Sequence, residues 1–160
     1  MFKSMQASSS AAPGIVSQQM RSILEKYGLR ATRQRLGLAD LLFSKGNRHV
    51  TAEALAAEAH AARMPASLAT VYNVLNLFAQ VGLVRGIPIE SSKTVFDTNT
   101  SDHCHFFFED TAEVSDIDQT KGATFVSNVE PPEGYEVVRV DVVVRLRPKT
   151  AGAVRVETDH

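Results

Sequence analysis

The segment Ser67 to Gln80, Ser-Leu-Ala-Thr-Val-Tyr-Asn-Val-Leu-Asn-Leu-Phe-Ala-Gln, constrains the chain more than any other, because it reads as a helix with two unlike faces. Leu68, Val71, Leu75 and Phe78 recur at the i, i+3, i+7, i+10 spacing of a buried stripe, with Val74 filling in and Val81 extending it. The opposite face carries Ala69, Tyr72, Asn73, Asn76 and Gln80, which are small or hydrogen-bonding groups without net charge. A merely solvated face usually carries Lys and Glu. Asn and Gln can bond an adenine edge twice, and an aromatic ring or a methyl group can touch a thymine methyl, so this face suits a DNA major groove. Ser67 is the expected N-cap and Gly82 the expected stop. The helix alone leaves a second reading open, an amphipathic helix with an amide-rich outer side.

Overall charge is near zero, but its distribution is not even. Residues 1–97 hold 11 Lys and Arg against 6 Asp and Glu, whereas residues 98–160 hold 6 against 12. A basic N-terminal half followed by an acidic one fits a DNA-binding domain joined to a domain that need not touch phosphate, chance segregation being the alternative. No apolar run reaches the length of a membrane span and Met1 to Val16 lacks the pattern of a signal peptide, so no membrane partner and a cytoplasmic location are expected. Cys104 is the single cysteine, which excludes an internal disulfide and a four-cysteine zinc site. Any metal must be held mainly by His and carboxylates.

Four regions follow along the chain. Residues 1–16, rich in Ser, Ala and Gln, read as a disordered arm. Residues 17–98 read as a DNA-binding domain. Its first helix begins near Ser17, buries Met20, Ile23, Leu24 and Tyr27, and stops at Gly28. A second, capped by Thr32, runs to about Ser44 and buries Leu36, Ala39, Leu42 and Phe43. Arg30, Arg33 and Arg35 crowd its start, where positive charge opposes the helix dipole unless an anion such as a DNA phosphate pairs with it. Thr51 caps an Ala-rich third helix reaching about Arg63, and a tight turn at Met64 to Ala66 leads into the Ser67 helix, which makes a helix-turn-helix. Leu83 to Ile89 and Lys93 to Asp97 then read as a hairpin wing from which Lys93 can touch phosphate.

Residues 99–148 switch to alternating periodicity. His103 to Glu109 and Glu113 to Ile117 read as strands, the first with His103, His105 and Phe107 on one face and Cys104, Phe106 and Phe108 on the other. Tyr135 to Arg147 reads as a last strand with Val138, Val140, Val142, Val144 and Leu146 on one side. So apolar a face needs cover, which points to a second copy of the chain. Residues 149–160 read as a flexible tail.

These residues resemble the ferric uptake regulator family of bacterial repressors. The resemblance rests on Gly-Leu-Arg-Ala-Thr-Arg-Gln-Arg at 28–35, His-Val-Thr-Ala-Glu at 49–53, Ser-Leu-Ala-Thr-Val-Tyr-Asn-Val-Leu at 67–75 and His-Cys-His at 103–105, and it spans about residues 17–147. Within the family the chain is most similar to the iron response regulator branch, through its Phe-rich strand and its Pro-Glu-Gly-Tyr entry into a Val-rich last strand. The resemblance implies an α+β fold, with an N-terminal winged helix-turn-helix domain and a small C-terminal α/β dimerisation domain. It also implies a homodimer on double-stranded DNA with an A·T-rich palindromic operator. Expected DNA contacts are Arg30, Arg33, Arg35, Ser67, Thr70, Tyr72, Asn73, Asn76 and Lys93.

The family's interdomain regulatory site maps onto His49, Asp97, His103, His105 and Asp116, a donor set suited to Mn²⁺, Fe²⁺ or Zn²⁺. Phe108 and Thr111 stand where many members hold a structural zinc with cysteines, so that site is not expected. Asp102, Cys104 and Val140 likewise interrupt a second family site. The iron response branch further implies haem as a ligand, with His103, Cys104 and His105 as its contacts. The expected function is therefore a dimeric regulator, mainly a repressor, that couples iron or haem status to genes of haem synthesis and iron homeostasis. A metal-corepressed repressor is the alternative. A metalloenzyme or a haem-binding module is remote, and no enzymatic activity is expected, because no general base or substrate pocket is evident beside the ligands.

Overall fold

Three hydroxyl side chains start three of the helices. The computed structural model describes residues 13–64, 66–90, 93–118 and 129–149, with side chains from residue 18 onward. Thr32 accepts from the Arg35 N–H at 3.3 Å at the head of α2 (Arg33–Phe43). Thr51 accepts from the Ala54 N–H at 3.2 Å at the head of α3 (Ala52–Ala61), and Ser67 from the Thr70 N–H at 3.1 Å at the head of α4 (Leu68–Gln80). Each bond satisfies a backbone donor that the helix cannot, and each falls at the cap the sequence predicts.

The first helix, α1 (Pro13–Lys26), starts earlier than the expected Ser17, so residues 13–16 of the anticipated arm are helical. Proline suits that end of a helix, having no N–H to leave unpaired and a φ already near the helical value. The remainder of the arm, residues 1–12, lies outside the described residues.

The N-terminal unit, Met1–Asp102, is built on one apolar core. Leu24 of α1, Leu38, Ala39 and Leu42 of α2, Leu55 of α3, and Val71, Leu75 and Phe78 of α4 are all fully buried. Two expected members are not in it. Ile23 is 38% exposed and Leu68 44% exposed. Leu68 opens α4, and a helical side chain leans toward its own N-terminus, which carries it past the core onto the capping turn. Ile23 lies beside, rather than on, the line through Met20 and Leu24. Leu36 and Phe43 are half-buried while Leu38 is fully buried, so the inward stripe of α2 is rotated slightly from the expected one.

Helix α4 stops at Gly82, whose φ of +81° an L side chain rarely adopts; the Leu83 N–H closes the turn onto the Phe78 carbonyl at 2.8 Å. The chain then forms β2 (Arg85–Glu90) and β3 (Lys93–Asp97), the expected wing. A further strand, β1 (His49–Val50), was not expected and pairs antiparallel with β3, giving the order β1-β3-β2.

The second unit is His103–His160. It holds β4 (His105–Phe108), β5 (Glu113–Asp116) and β6 (Val143–Leu146) in the order β5-β4-β6, with β4 and β6 parallel. The expected long strand Tyr135–Arg147 is therefore reduced to four residues. Its alternation is real, but a strand extends only as far as a neighbour bonds it. The ladder to β4 ends where the His105 N–H donates to the Val142 carbonyl at 3.1 Å. Ahead of it, Tyr135 and Val138 are 76% and 90% exposed. Of the expected tail only Lys149 is described, and residues 119–128 of the preceding loop are outside the described set. Among the described residues no helix is long and apolar enough to cross a membrane.

Candidate nucleic-acid interface and metal-ligating pairs

The outer face of α4 is as the sequence predicts: Ala69, Asn73, Asn76 and Gln80 are exposed and Tyr72 half-buried. Beside it, the N-terminal turn of α2 and the first half of α4 enclose a groove of about 550 Å³, into which Arg33, Gln34 and Arg35 face Thr70 and Asn73. Two cationic side chains, Arg33 and Arg35, and hydrogen-bonding ones, Gln34, Thr70 and Asn73, thus share a concave surface. No acidic residue occupies the first turn of α2. The Arg35 guanidinium is braced by donating from Nη1 to the Arg30 carbonyl at 3.0 Å, which draws it over the connector where Arg30 itself is exposed. A groove of this make-up suits a phosphate backbone running past a base-reading helix.

Ser67 and Thr70 are held more tightly than a free contact residue. Their hydroxyls lie 2.9 Å apart while the Ser67 oxygen caps α4, so the first duty of Ser67 is the helix start. Lys93 is exposed at the head of β3, close enough for its charge to act on Glu53 of α3. Glu53 in turn accepts from the Tyr72 hydroxyl at 2.8 Å. That bond holds the Glu53 carboxyl below its ordinary value, with Lys93 contributing, and pushes the Tyr72 phenol up. Glu53 had no role in the sequence reading. It stands in the quoted His-Val-Thr-Ala-Glu run, but nothing in that spacing shows that α4 brings Tyr72 to it.

The five predicted metal ligands fall into two groups, one in each unit. In the first unit His49 and Asp97 are register partners across β1 and β3, with Nε2 3.3 Å from Oδ2. Asp97 is 1% exposed, and its other oxygen accepts from the Asn99 N–H at 2.8 Å. In the second unit Asp116 Oδ1 lies 3.1 Å from His103 Nε2 and 3.5 Å from His105 Nε2. The expected strand His103–Glu109 is shortened to His105–Phe108, so His103 precedes β4, yet the two imidazoles lie side by side, 4.4 Å between ring centres, on the side the alternation predicts. Two ligand atoms around one first-row ion stand roughly 3 Å apart, each about 2.1 Å from the metal. Nitrogen and carboxylate oxygen at these separations fit such an ion.

The first pair is framed by backbone and ionic contacts from residues the sequence did not single out. Arg48, next to His49, donates its N–H to Thr98 Oγ1 at 2.8 Å, and the Thr98 N–H returns to the Arg48 carbonyl at 3.1 Å. The Arg48 side chain forks onto Glu58 of α3, with Nη1 to Oε2 at 3.0 Å, and Lys45 reaches the same carboxylate at 3.1 Å. Arg85 is buried at 3% exposure and donates to the Ser101 carbonyl at 3.1 Å. Its burial was legible, since strand alternation puts Arg85 on the same face as Ile87 and Ile89.

Cys104 is half-buried just ahead of β4, between His103 and His105 in the chain.

Comparison with known proteins gives concordant matches. A model of the ferric uptake regulator family matches residues 26–145. The ferric uptake regulation protein of Pseudomonas aeruginosa is 30% identical over 129 residues, covering 80% of this chain and 96% of that protein. That of Bordetella parapertussis is 36% identical over 83 residues, 52% of this chain and 60% of that protein. The structure of the Pseudomonas aeruginosa ferric uptake regulator with manganese superposes with a TM-score of 0.63 at 29% identity, covering 82% of this chain and 98% of that one.

Proposed function

Because this chain belongs to the ferric uptake regulator family, we propose that it is a metal-responsive DNA-binding transcriptional regulator in which α4 reads the major groove. The observation that carries this reading is the groove where Arg33 and Arg35 face Thr70 and Asn73, cationic groups beside amide and hydroxyl groups on one surface. Asn73 and Asn76 offer donor and acceptor pairs to base edges, Tyr72 offers its ring, and Arg30, Arg33, Arg35 and Lys93 face phosphates. The family's proteins are regulators and not enzymes.

We further propose that His49, Asp97, His103, His105 and Asp116 together hold one divalent ion, as the sequence resemblance implies. Its support is the donor chemistry of each group taken by itself: Nε2 and carboxylate oxygen 3.1–3.5 Å apart. A relative has been solved with manganese. Such an ion supplies positive charge that joins otherwise separate carboxylates and imidazoles. The chain's own part is to present them and to couple the strand that carries His49, through Arg48 and Glu58, to α3 beneath the reading helix. Homodimerisation on a palindromic operator completes the proposal, with the exposed apolar side chains Tyr135, Val137, Val138 and Val140 as the surface that a second copy covers.

A role in haem-dependent control, as in the iron response regulator branch, is the finer reading. The structure favours a metal ion over haem at His103 and His105, since their side chains are 7% and 3% exposed and both turn to Asp116. Fluorescence anisotropy on an A·T-rich palindrome, starting from chelator-treated protein and adding Mn²⁺ or haem in separate titrations, decides among these. Binding that needs Mn²⁺ supports metal corepression. Metal-free binding that haem reverses supports the iron response reading, and no operator preference in any state overturns the DNA-reading function.

A further inference from the structure

A carboxylate on a surface meant for DNA is repelled by phosphate, so its presence there calls for a reason. Glu53 is such a group: its carboxylate oxygen is 2.8 Å from the Tyr72 hydroxyl on the reading helix, and it is exposed. We propose that Glu53 is a positioning residue for base reading, holding the Tyr72 ring in one orientation on the outer face of α4 before DNA arrives. The inference rests on the proposed DNA-reading function and adds a residue to it.

The physical argument has three steps. A tyrosine on an exposed helix face has two side-chain torsions to lose on binding, and fixing them in the free protein removes that cost from the encounter. A hydrogen bond to an ionised acceptor is shorter and stronger than a neutral one, which suits a clamp in contact with water. The carboxyl, exposed and ionised at neutral pH, is held below its ordinary value by Tyr72 first of all and by a backbone hydrogen bond at Glu53, with Lys93 of the wing and Thr51 adding smaller support, and the phenol is correspondingly harder to ionise. Since the hydroxyl is committed to Glu53, Tyr72 meets the groove with its ring, and the base group a ring can distinguish is the thymine methyl.

The rival account is that Glu53 serves only the α3 dipole, being the acidic residue in that helix's first turn. Substitutions separate the two. Glu53→Ala removes the acceptor, Glu53→Gln keeps an acceptor oxygen without charge, and Tyr72→Phe removes the donor. Each is measured by anisotropy on the operator, on a scrambled duplex, and on operators with single thymines replaced by deoxyuracil.

The expected result is that removing one thymine methyl per half-site, two in all, weakens wild-type binding by about tenfold. Glu53→Ala and Tyr72→Phe each lose most of that discrimination, the double variant loses no more than either, and Glu53→Gln, whose neutral acceptor oxygen bonds the hydroxyl less strongly, retains part of it. In the free protein, Glu53→Ala lowers the pH at which the Tyr72 ring carbon titrates by NMR. Full methyl discrimination in Glu53→Ala, or losses that multiply in the double variant, overturns the proposal while the DNA-reading function stands. Loss of discrimination in Glu53→Gln as complete as in Glu53→Ala overturns it too, because charge and not the hydrogen bond is then the cause. Absence of any operator preference in the wild type overturns both.

Discussion

His49 and Asp97 face each other across the β1–β3 ladder, and their side chains meet at 3.3 Å. His105 and Asp116 repeat the relation across β4 and β5, at 3.5 Å. Opposed residues of an antiparallel pair hold their Cβ atoms about 5 Å apart, which brings an imidazole and a short carboxylate tip to tip. In each unit the sheet register, rather than a local sequence motif, makes the pair.

Asp97→Ala should therefore abolish metal-dependent stabilisation while leaving the fold recognisable. With free Mn²⁺ about 100-fold above its dissociation constant, binding stabilises the wild type by about 2.7 kcal/mol, seen as a rise in Tm. The variant is expected to show no such rise in differential scanning fluorimetry, and an undiminished rise would remove Asp97 from the ligand set. Chelation of wild-type protein should likewise remove the rise.

The Arg48–Glu58 fork gives a pH signature. Arg48 holds the Glu58 carboxyl below its ordinary value of 4.5, with Lys45 adding to the effect. A depressed folded pKa contributes stability that is present above the unfolded pKa and lost as pH falls through the folded one. Glu58→Gln is expected to cost about 1–3 kcal/mol at pH 7, as for a hydrogen bond to a charged group. Urea melts from pH 7 downward should show the two proteins converging only below pH 4.5. A gap that persists unchanged through that window would mean the ion pair is not its source.

Arg33→Ala and Arg35→Ala test the groove. A side chain paired with phosphate weakens binding to all sequences alike when removed, and lowers the slope of log affinity against log salt by about 1. Anisotropy titrations across salt concentrations on operator and scrambled duplexes should show that uniform loss. A change in sequence preference instead would place these arginines on base edges.

Ser67→Ala should cost about 1 kcal/mol of stability through the lost α4 cap. Denaturant melts measure it. Operator affinity should fall with it, because Thr70 loses the hydroxyl partner at 2.9 Å that orients it in the groove. An unaffected midpoint would show that the Ser67 oxygen is not needed to start the helix.

Much of this was legible along the chain because helices are local objects. The caps Thr32, Thr51 and Ser67, the stop at Gly82 and the inward stripe through Val71, Leu75 and Phe78 depend on residues three or four apart, and spacing reveals them. The i, i+2 spacing that brings the His103 and His105 rings together is equally local. The two-residue strand β1 was not legible, since its only reason to exist is β3, almost fifty residues on. The length of β6 was missed for the converse reason: alternation continued through Tyr135 to Arg147 but the partner strand did not.

By itself, then, the sequence determined where the helices start and stop, which face of α4 is apolar, and which residue types can take up phosphate, bases or a metal ion. Only the tertiary structure decided that Glu53 lies under the Tyr72 hydroxyl and that Arg48 braces the strand carrying His49 against α3. Periodicity records what a residue needs from its surroundings, whereas a contact between distant residues depends on how packed elements set their register. That register comes from the summed burial of many side chains, which no single stretch of the chain encodes.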